Sequence, residues 1–182
     1  MKKLITTITI AAAFLFTNPV AHAQMTEATL PDTLIVLSQK DEMSDKTYYL
    51  LSKKIICFNQ EATKGFSLSA FIEPDLTVRD IKTVMVGIGS CVEKNEMIIM
   101  FEDDSKLTFK SWNGFNCKGD AWFTITKKDV DILSTKKIKK VRLTNGRTYE
   151  SYTADLEEKY SDYYIRLFRM LKNKQVFQFE KK

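Results

Sequence analysis

Histidine is all but missing from this 182-residue chain, which carries only His22. Proline (three) and glycine (six) are scarce too, which excludes collagen-like and Pro/Gly-rich disordered chains. The three cysteines, Cys57, Cys91 and Cys117, lie 34 and 26 residues apart with no Cys-x-x-Cys pair. A zinc shell therefore has no spacing to start from. No apolar run approaches the roughly 20 residues that a bilayer-spanning helix needs. What is present is ordinary for a globular chain: 44% apolar, 12% aromatic and 28% charged residues. That length and composition suit one domain.

The first 23 residues read as a secretory signal. Met1-Lys2-Lys3 is the basic start, Leu4 to Phe16 is the apolar stretch, and Ala21-His22-Ala23 places small residues at the two positions a signal peptidase inspects. Cleavage before Gln24 is expected, with residues 24–32 as a flexible, Thr-rich leader and residues 33–182 as a single domain. No cysteine follows the apolar stretch, so lipoprotein processing is not indicated. The expected location is the bacterial periplasm or the outside of the cell, with no transmembrane segment after cleavage. Cleavage also removes His22, so the working chain has no imidazole for a catalytic triad, a proton shuttle or a metal site. A non-enzyme without cofactor or metal is expected.

An oxidising compartment favours pairing of two cysteines. Met97 to Phe101 and Lys106 to Ser111 read as a hairpin about Glu102-Asp103-Asp104-Ser105. Placing Glu102 opposite Ser105 aligns Met100 with Leu107 and Ile98 with Phe109 on one apolar face. Extended backwards with a one-residue bulge near Asn113-Gly114, this register brings Cys91 opposite Cys117, the expected disulfide. Three free buried thiols are the alternative.

The rest of the pattern is β-rich. Thr33 to Leu37, Tyr48 to Phe58, Gly65 to Ile72 and Ile81 to Ile88 read as strands between turn-forming residues, and Gly87-Ile88-Gly89 reads as a bend. Asp120 to Thr126 alternates, with Ala121, Phe123 and Ile125 on one face and Trp122 and Thr124 on the other. Thr126 is expected to cap a short helix, with Asp129 three residues on. Lys139 to Thr144, with Val141 and Leu143 inward, and Arg147 to Tyr152 read as a hairpin about Asn145-Gly146. From Thr153 the period changes: Leu156, Tyr160, Tyr163, Leu167 and Leu171 recur every three or four residues, marking an amphipathic helix of about 18 residues. Gln175 to Phe179 alternates again as a closing strand. The expected fold is α+β: a mainly antiparallel sheet, curled or barrel-like, with a short helix and a C-terminal amphipathic helix on one sheet face.

Charge is unevenly divided. Residues 24–126 carry 11 basic and 15 acidic side chains, whereas residues 127–182 carry 15 and 8. Lys136, Lys137, Lys139, Lys140 and Arg142 crowd around Ile138 and Val141. Such a run can meet lipid headgroups, an anionic glycan or an acidic protein, or it can be a solvated face whose lysines discourage edge pairing. Aromatics do not interleave with it, so nucleic acid is not an expected partner. Trp112, Phe115 and Trp122, beside Asn113, Gly114 and Asn116, form a composition suited to stacking on sugar rings or gripping a partner. They are the other candidate binding residues.

Catalytic patterns are thin. Ser134-Thr135-Lys136-Lys137 matches Ser-x-x-Lys, a nucleophile-and-base pairing that a chain this rich in Ser and Lys contains by chance. Glu73, Asp75, Asp103 and Asp104 are the acids available to a histidine-free hydrolase, but all sit in expected turns. Glu102-Asp103-Asp104 lacks the alternation and central glycine of a calcium loop.

The run from Trp122 to Leu143, an aromatic strand, Thr-x-x-Asp, Ile132-Leu133 and then Ile138-x-x-Val141-Arg142-Leu143, resembles a segment of small exported proteins of unknown function in Gram-negative bacteria. The resemblance implies export and a compact α+β domain, and it carries no functional residue. The expected function is that of an exported, non-enzymatic interaction protein whose partner is a protein, a glycan or another envelope component. A small-ligand carrier with a cavity between sheet and helix, and a carboxylate hydrolase, are the alternatives.

Overall fold

A computed structural model describes residues 35–40, 43, 47–73, 75, 77–89, 94–112, 119–174 and 178–179. The strands are β1 (Ile35–Lys40), β2 (Thr47–Ser52), β3 (Ile55–Phe58), β4 (Gly65–Ile72), β5 (Val78–Val86), β6 (Glu96–Phe101), β7 (Lys106–Lys110), β8 (Asp120–Thr124), β9 (Ile138–Thr144), β10 (Ser151–Asp155) and β11 (Gln178–Phe179). Among the described residues two helices accompany them, α1 (Lys127–Leu133) and α2 (Glu158–Lys172). One sheet runs β11-β1-β2-β4-β5-β8, with β3 also on β4, and the second runs β10-β9-β6-β7. Every described pairing is antiparallel except β1 with β11. The fold is α+β, as the periodicities predict. Neither sheet closes into the barrel that a curled sheet allows.

The two sheets share one core. Ile55, Phe66, Ala70, Ile81, Ala121 and Phe123 of the first sheet lie with Met97, Ile99, Val141 and Leu143 of the second, and with Tyr160, Tyr163, Leu167 and Phe168 of α2. The expected inward residues of β8 and β9 are the buried ones: Ala121, Phe123, Val141 and Leu143 are fully enclosed. α1 begins as expected, since the Thr126 hydroxyl accepts from the Asp129 N–H while the Asp129 carboxylate accepts from the Thr126 N–H. α2 starts later than the pattern suggests, because Thr153 to Asp155 pair with β9 as part of β10. Leu156 is buried ahead of the helix rather than within it.

Three local expectations are corrected. The β6–β7 register is one residue off: Met97 faces Phe109 and Ile99 faces Leu107. The cause is the turn. Phe101 N–H donates to the Ser105 carbonyl and Asp104 takes φ +60°, so the loop holds three residues with a left-handed third. Asp103 stabilises it by accepting from the Ser105 N–H at 3.1 Å. One residue of slip exchanges the faces, so Met97, Ile99 and Phe101 are the buried set, not Ile98 and Met100. The register on which the Cys91–Cys117 pairing rests is thus not the observed one. Both cysteines, like Phe115, lie outside the described residues.

The Asn145-Gly146 turn is not a two-residue hairpin either. Asn145 pairs with Glu150 through its N–H, Tyr149 takes φ +60°, and the return strand begins at Ser151 instead of Arg147. The Asn145 side-chain oxygen accepts from the N–H groups of Arg147 and Thr148, which builds the wider loop. Gly146 is required by proximity, because a Cβ there would collide with the Lys94 carbonyl oxygen. At Gly87-Ile88-Gly89, by contrast, both glycines do take positive φ, +68° and +81°, and the bend stands.

Tyr48 to Phe58 is two strands rather than one. β2 and β3 both pair with β4, Leu51 with Phe71 and Ile55 with Leu68, but one residue out of step. At the break the Ser52 hydroxyl accepts the Ala70 N–H at 2.7 Å, in place of a ladder carbonyl. The Lys53 N–H turns to the Tyr163 hydroxyl of α2 at 2.9 Å. A tertiary bond thus occupies the donor that a continuous strand would use.

Candidate functional site

β5 lies between β4 and β8, with Asp80 opposite both Phe71 and Thr124 and Lys82 opposite Trp122. Directly opposed residues point to one side of a sheet, so Phe71, Asp80, Lys82, Trp122 and Thr124 share a face. The alternate set, Ala70, Ile81, Ala121 and Phe123, is in the core. Trp112 joins this face from the other sheet. Beyond β7 the Ser111 N–H still bonds to Asn95, but the Trp112 N–H donates to the Trp122 carbonyl at 3.2 Å, stitching the second sheet to β8.

The centre of the arrangement is Asp80, only 2% exposed. Its Oδ1 accepts from the Thr124 hydroxyl at 2.9 Å and from the Trp112 indole Nε1–H at 3.3 Å, and its Oδ2 lies 3.4 Å from Arg79 Nε. A buried carboxylate must be paired and hydrogen-bonded, and these groups do both. Arg79 also reaches Glu73 at 3.2 Å. The consequence falls on Trp112, whose polar edge is tied down although the residue is 58% exposed. Its ring is held rather than free to collapse onto the surface. Beside it, Trp122 meets Phe71 edge-to-face at 5.3 Å and carries the Lys82 ammonium 5.0 Å from its ring centre. Asp120 stands 3.9 Å from that ammonium. The face therefore combines an anchored indole, a second aromatic pair and a rim of donors and acceptors.

The basic run is differently disposed. Lys136 reaches Asp103 at 2.6 Å, Lys137 reaches Glu158 at 2.9 Å and Asp162 at 3.2 Å, Lys139 reaches Asp104 at 3.0 Å and Lys140 reaches Asp155 at 2.9 Å. Arg142 is exposed. Each of these four lysines thus meets at least one acid of the β6–β7 turn, β10 or α2, and Lys137 meets two. Lys136 and Ser105 hold the Asp103 carboxyl down to about 2, and the Glu158 and Asp162 carboxylates push the Lys137 ammonium above its ordinary range.

The remaining chemical candidates are engaged locally. Ser134 is buried and its hydroxyl donates to the Asp131 carbonyl at 2.8 Å, while Lys137 is committed to α2. The Ser-x-x-Lys match does not join a nucleophile to its base. Asp75 accepts from the Thr77 hydroxyl and N–H. Burial, aided by the Glu157 charge, pushes the Cys57 thiol up to about 12, so it stays protonated and unreactive at neutral pH. Among the described residues no three His, Cys, Asp or Glu side chains are grouped to hold a metal ion.

Elsewhere, a concavity of about 580 Å³ opens where the start of β5 meets α1 and α2. The residues on which both features depend, Asp80 and Val78, escape a reading that begins this strand at Ile81. The strand expected to start at Ile81 begins at Val78, which brings Arg79 and Asp80 into the ladder. No family model, no curated protein and no solved structure matches the chain.

Proposed function

We propose that this protein is an exported, non-enzymatic glycan-binding module of the bacterial periplasm or cell exterior, and that the Trp112–Trp122–Phe71 face is its binding surface. The observation that carries the proposal is the exposed indole pinned through its Nε1–H to the buried Asp80 carboxylate. A ring fixed in advance loses little freedom on binding, and its faces suit the C–H surface of a pyranose. Thr124, Lys82 and Asp120 supply hydrogen-bonding groups at the edge for sugar hydroxyls. A protein partner would need a contiguous apolar core. The other exposed large apolar residues of the described chain are Met43, Val86 and Tyr149, and Val86 lies six residues along β5 from Asp80, roughly 20 Å away. The resemblance of Trp122 to Leu143 to small exported proteins and the apolar N-terminal stretch support the location. The basic run, answered by its own acids, is the weaker candidate for contact.

The test is a titration of tryptophan fluorescence and heat with cellotetraose, chitotetraose and maltotetraose. At least one should bind, and Trp112→Ala should weaken it about tenfold, roughly 1.4 kcal/mol. The thermal midpoint of that variant should fall modestly, because the buried Asp80 loses one of its donors, while the chain stays folded at the temperature of the titration. Absence of binding to all three sugars, or binding indifferent to Trp112, sinks the proposal.

A further inference from the structure

The concavity between β5, α1 and α2 has an apolar base and a cationic rim. Val78 from β5, Val130 from α1 and Leu171 from α2 form the base, and Lys127, Lys172 and Lys174 stand around it. Its volume, about 580 Å³, falls inside the range of roughly 300–1,000 Å³ in which proteins bind small molecules. Val78 and Val130 are only partly buried, so they leave apolar surface open to water. Covering such surface with hydrocarbon is favourable by about 25 cal/mol per Å².

The charge on the rim is unbalanced. Asp131 is the one carboxylate among the lining residues, set against three ammonium groups. Lys172 binds it at 2.7 Å, and Lys172 holds the Asp131 carboxyl below its ordinary range, so that carboxylate stays charged and engaged. Lys174 donates to the Asp75 carbonyl at 2.8 Å. An ammonium has three donors, so Lys172 and Lys174 each keep hydrogens to offer after these bonds. Lys127 is exposed at the start of α1. The four lysines of the basic run meet five carboxylates, whereas here three lysines face Asp131 and, beside Lys174, Asp75.

We infer that this concavity binds a free amphipathic anion, with a hydrocarbon body against Val78, Val130 and Leu171 and one carboxylate or similar head among Lys127, Lys172 and Lys174. The chemistry needs both halves. A neutral amphiphile leaves the ammonium groups unanswered, and a small inorganic anion leaves the apolar base wet. The inference is independent of the glycan proposal, because Trp112 is not among the residues lining this concavity.

Isothermal titration of the full chain at pH 7 and low salt, below the probe's micellar concentration, tests it. Decanoate should bind at least tenfold more tightly than decanol. Lys127→Glu, an exposed substitution whose carboxylate suits a helix start, should weaken decanoate about tenfold and change decanol less than twofold. Val130→Asp should weaken both, and Trp112→Ala should weaken neither. Lys64→Glu, on the exposed turn before β4, is the charge control. No decanoate binding, or equal losses in Lys127→Glu and Lys64→Glu, overturns the inference. Binding only to phosphatidylglycerol vesicles also overturns it, by making the source a membrane surface rather than a free ligand.

Discussion

A thiol enclosed on every side has no route to solvent and no stabilised anion, and Cys57 is in that position on β3. Iodoacetamide at pH 8 should therefore leave Cys57 unmodified in the native protein and modify it in urea, read by peptide mass. Labelling in the native state would place Cys57 at the surface. A non-reducing digest of the same material reports whether Cys91 and Cys117 are joined; the proposed export favours a bond between two of the three cysteines without choosing the pair. At the other extreme of exposure, Asp103 titrates low because Lys136 and Ser105 bind its anion. A folded-state value below the unfolded one adds stability that is present above the ordinary carboxylate range, near 4, and is lost as the pH falls toward about 2. Asp103→Asn should accordingly lower the thermal midpoint slightly at pH 6, less in high salt, and the gap should close near pH 2.

At the scale of elements, capping and close approach decide where chains start and turn. Thr126→Ala removes the acceptor for the Asp129 N–H and should cost about 1 kcal/mol in urea unfolding. Gly146→Ala should cost more than the usual few tenths, because its Cβ has to displace the Lys94 carbonyl. An equal or greater stability for that variant would show the loop to be looser than described. α2 places Tyr160, Tyr163, Tyr164, Leu167, Phe168 and Leu171 in the core. Leu167 and Phe168 are fully buried, and truncating Phe168 to Ala should lose about 3–5 kcal/mol. The same helix supplies the Tyr163 hydroxyl that receives the Lys53 N–H, so the break between β2 and β3 and the docking of α2 are coupled. Tyr163→Phe removes that acceptor without removing the ring. It should destabilise the chain by about 1–3 kcal/mol, since a part-buried donor is then left unmade.

For the molecule as a whole, one core shared by both sheets and α2 predicts a single cooperative thermal transition. Two resolved transitions would separate the sheets energetically. Intact-mass measurement of protein recovered from the periplasm should give a chain beginning at Gln24. A full-length cytosolic species would overturn the proposed export and leave His22 in the working molecule.

Periodicity was sufficient for what local pattern controls. The strand at Gly65–Ile72, the inward residues of β8 and β9, the Thr126 capping box and the Tyr160-Tyr163-Leu167-Leu171 face of α2 were all legible, because each depends on side chains a few residues apart. Register, strand continuity and the surface sites were not. Asp104 in a left-handed conformation moved the hairpin by one residue, and Ser52 and Tyr163 broke a strand that reads as continuous. The indole of Trp112 is anchored by a carboxylate 32 residues away, and the cationic concavity gathers lysines from both helices beside the start of β5. Alternation and heptad-like spacing carry the sign of a face, which is a local property of the backbone geometry. They do not carry which distant donor will find which acceptor, and that is decided only when the sheets and helices pack.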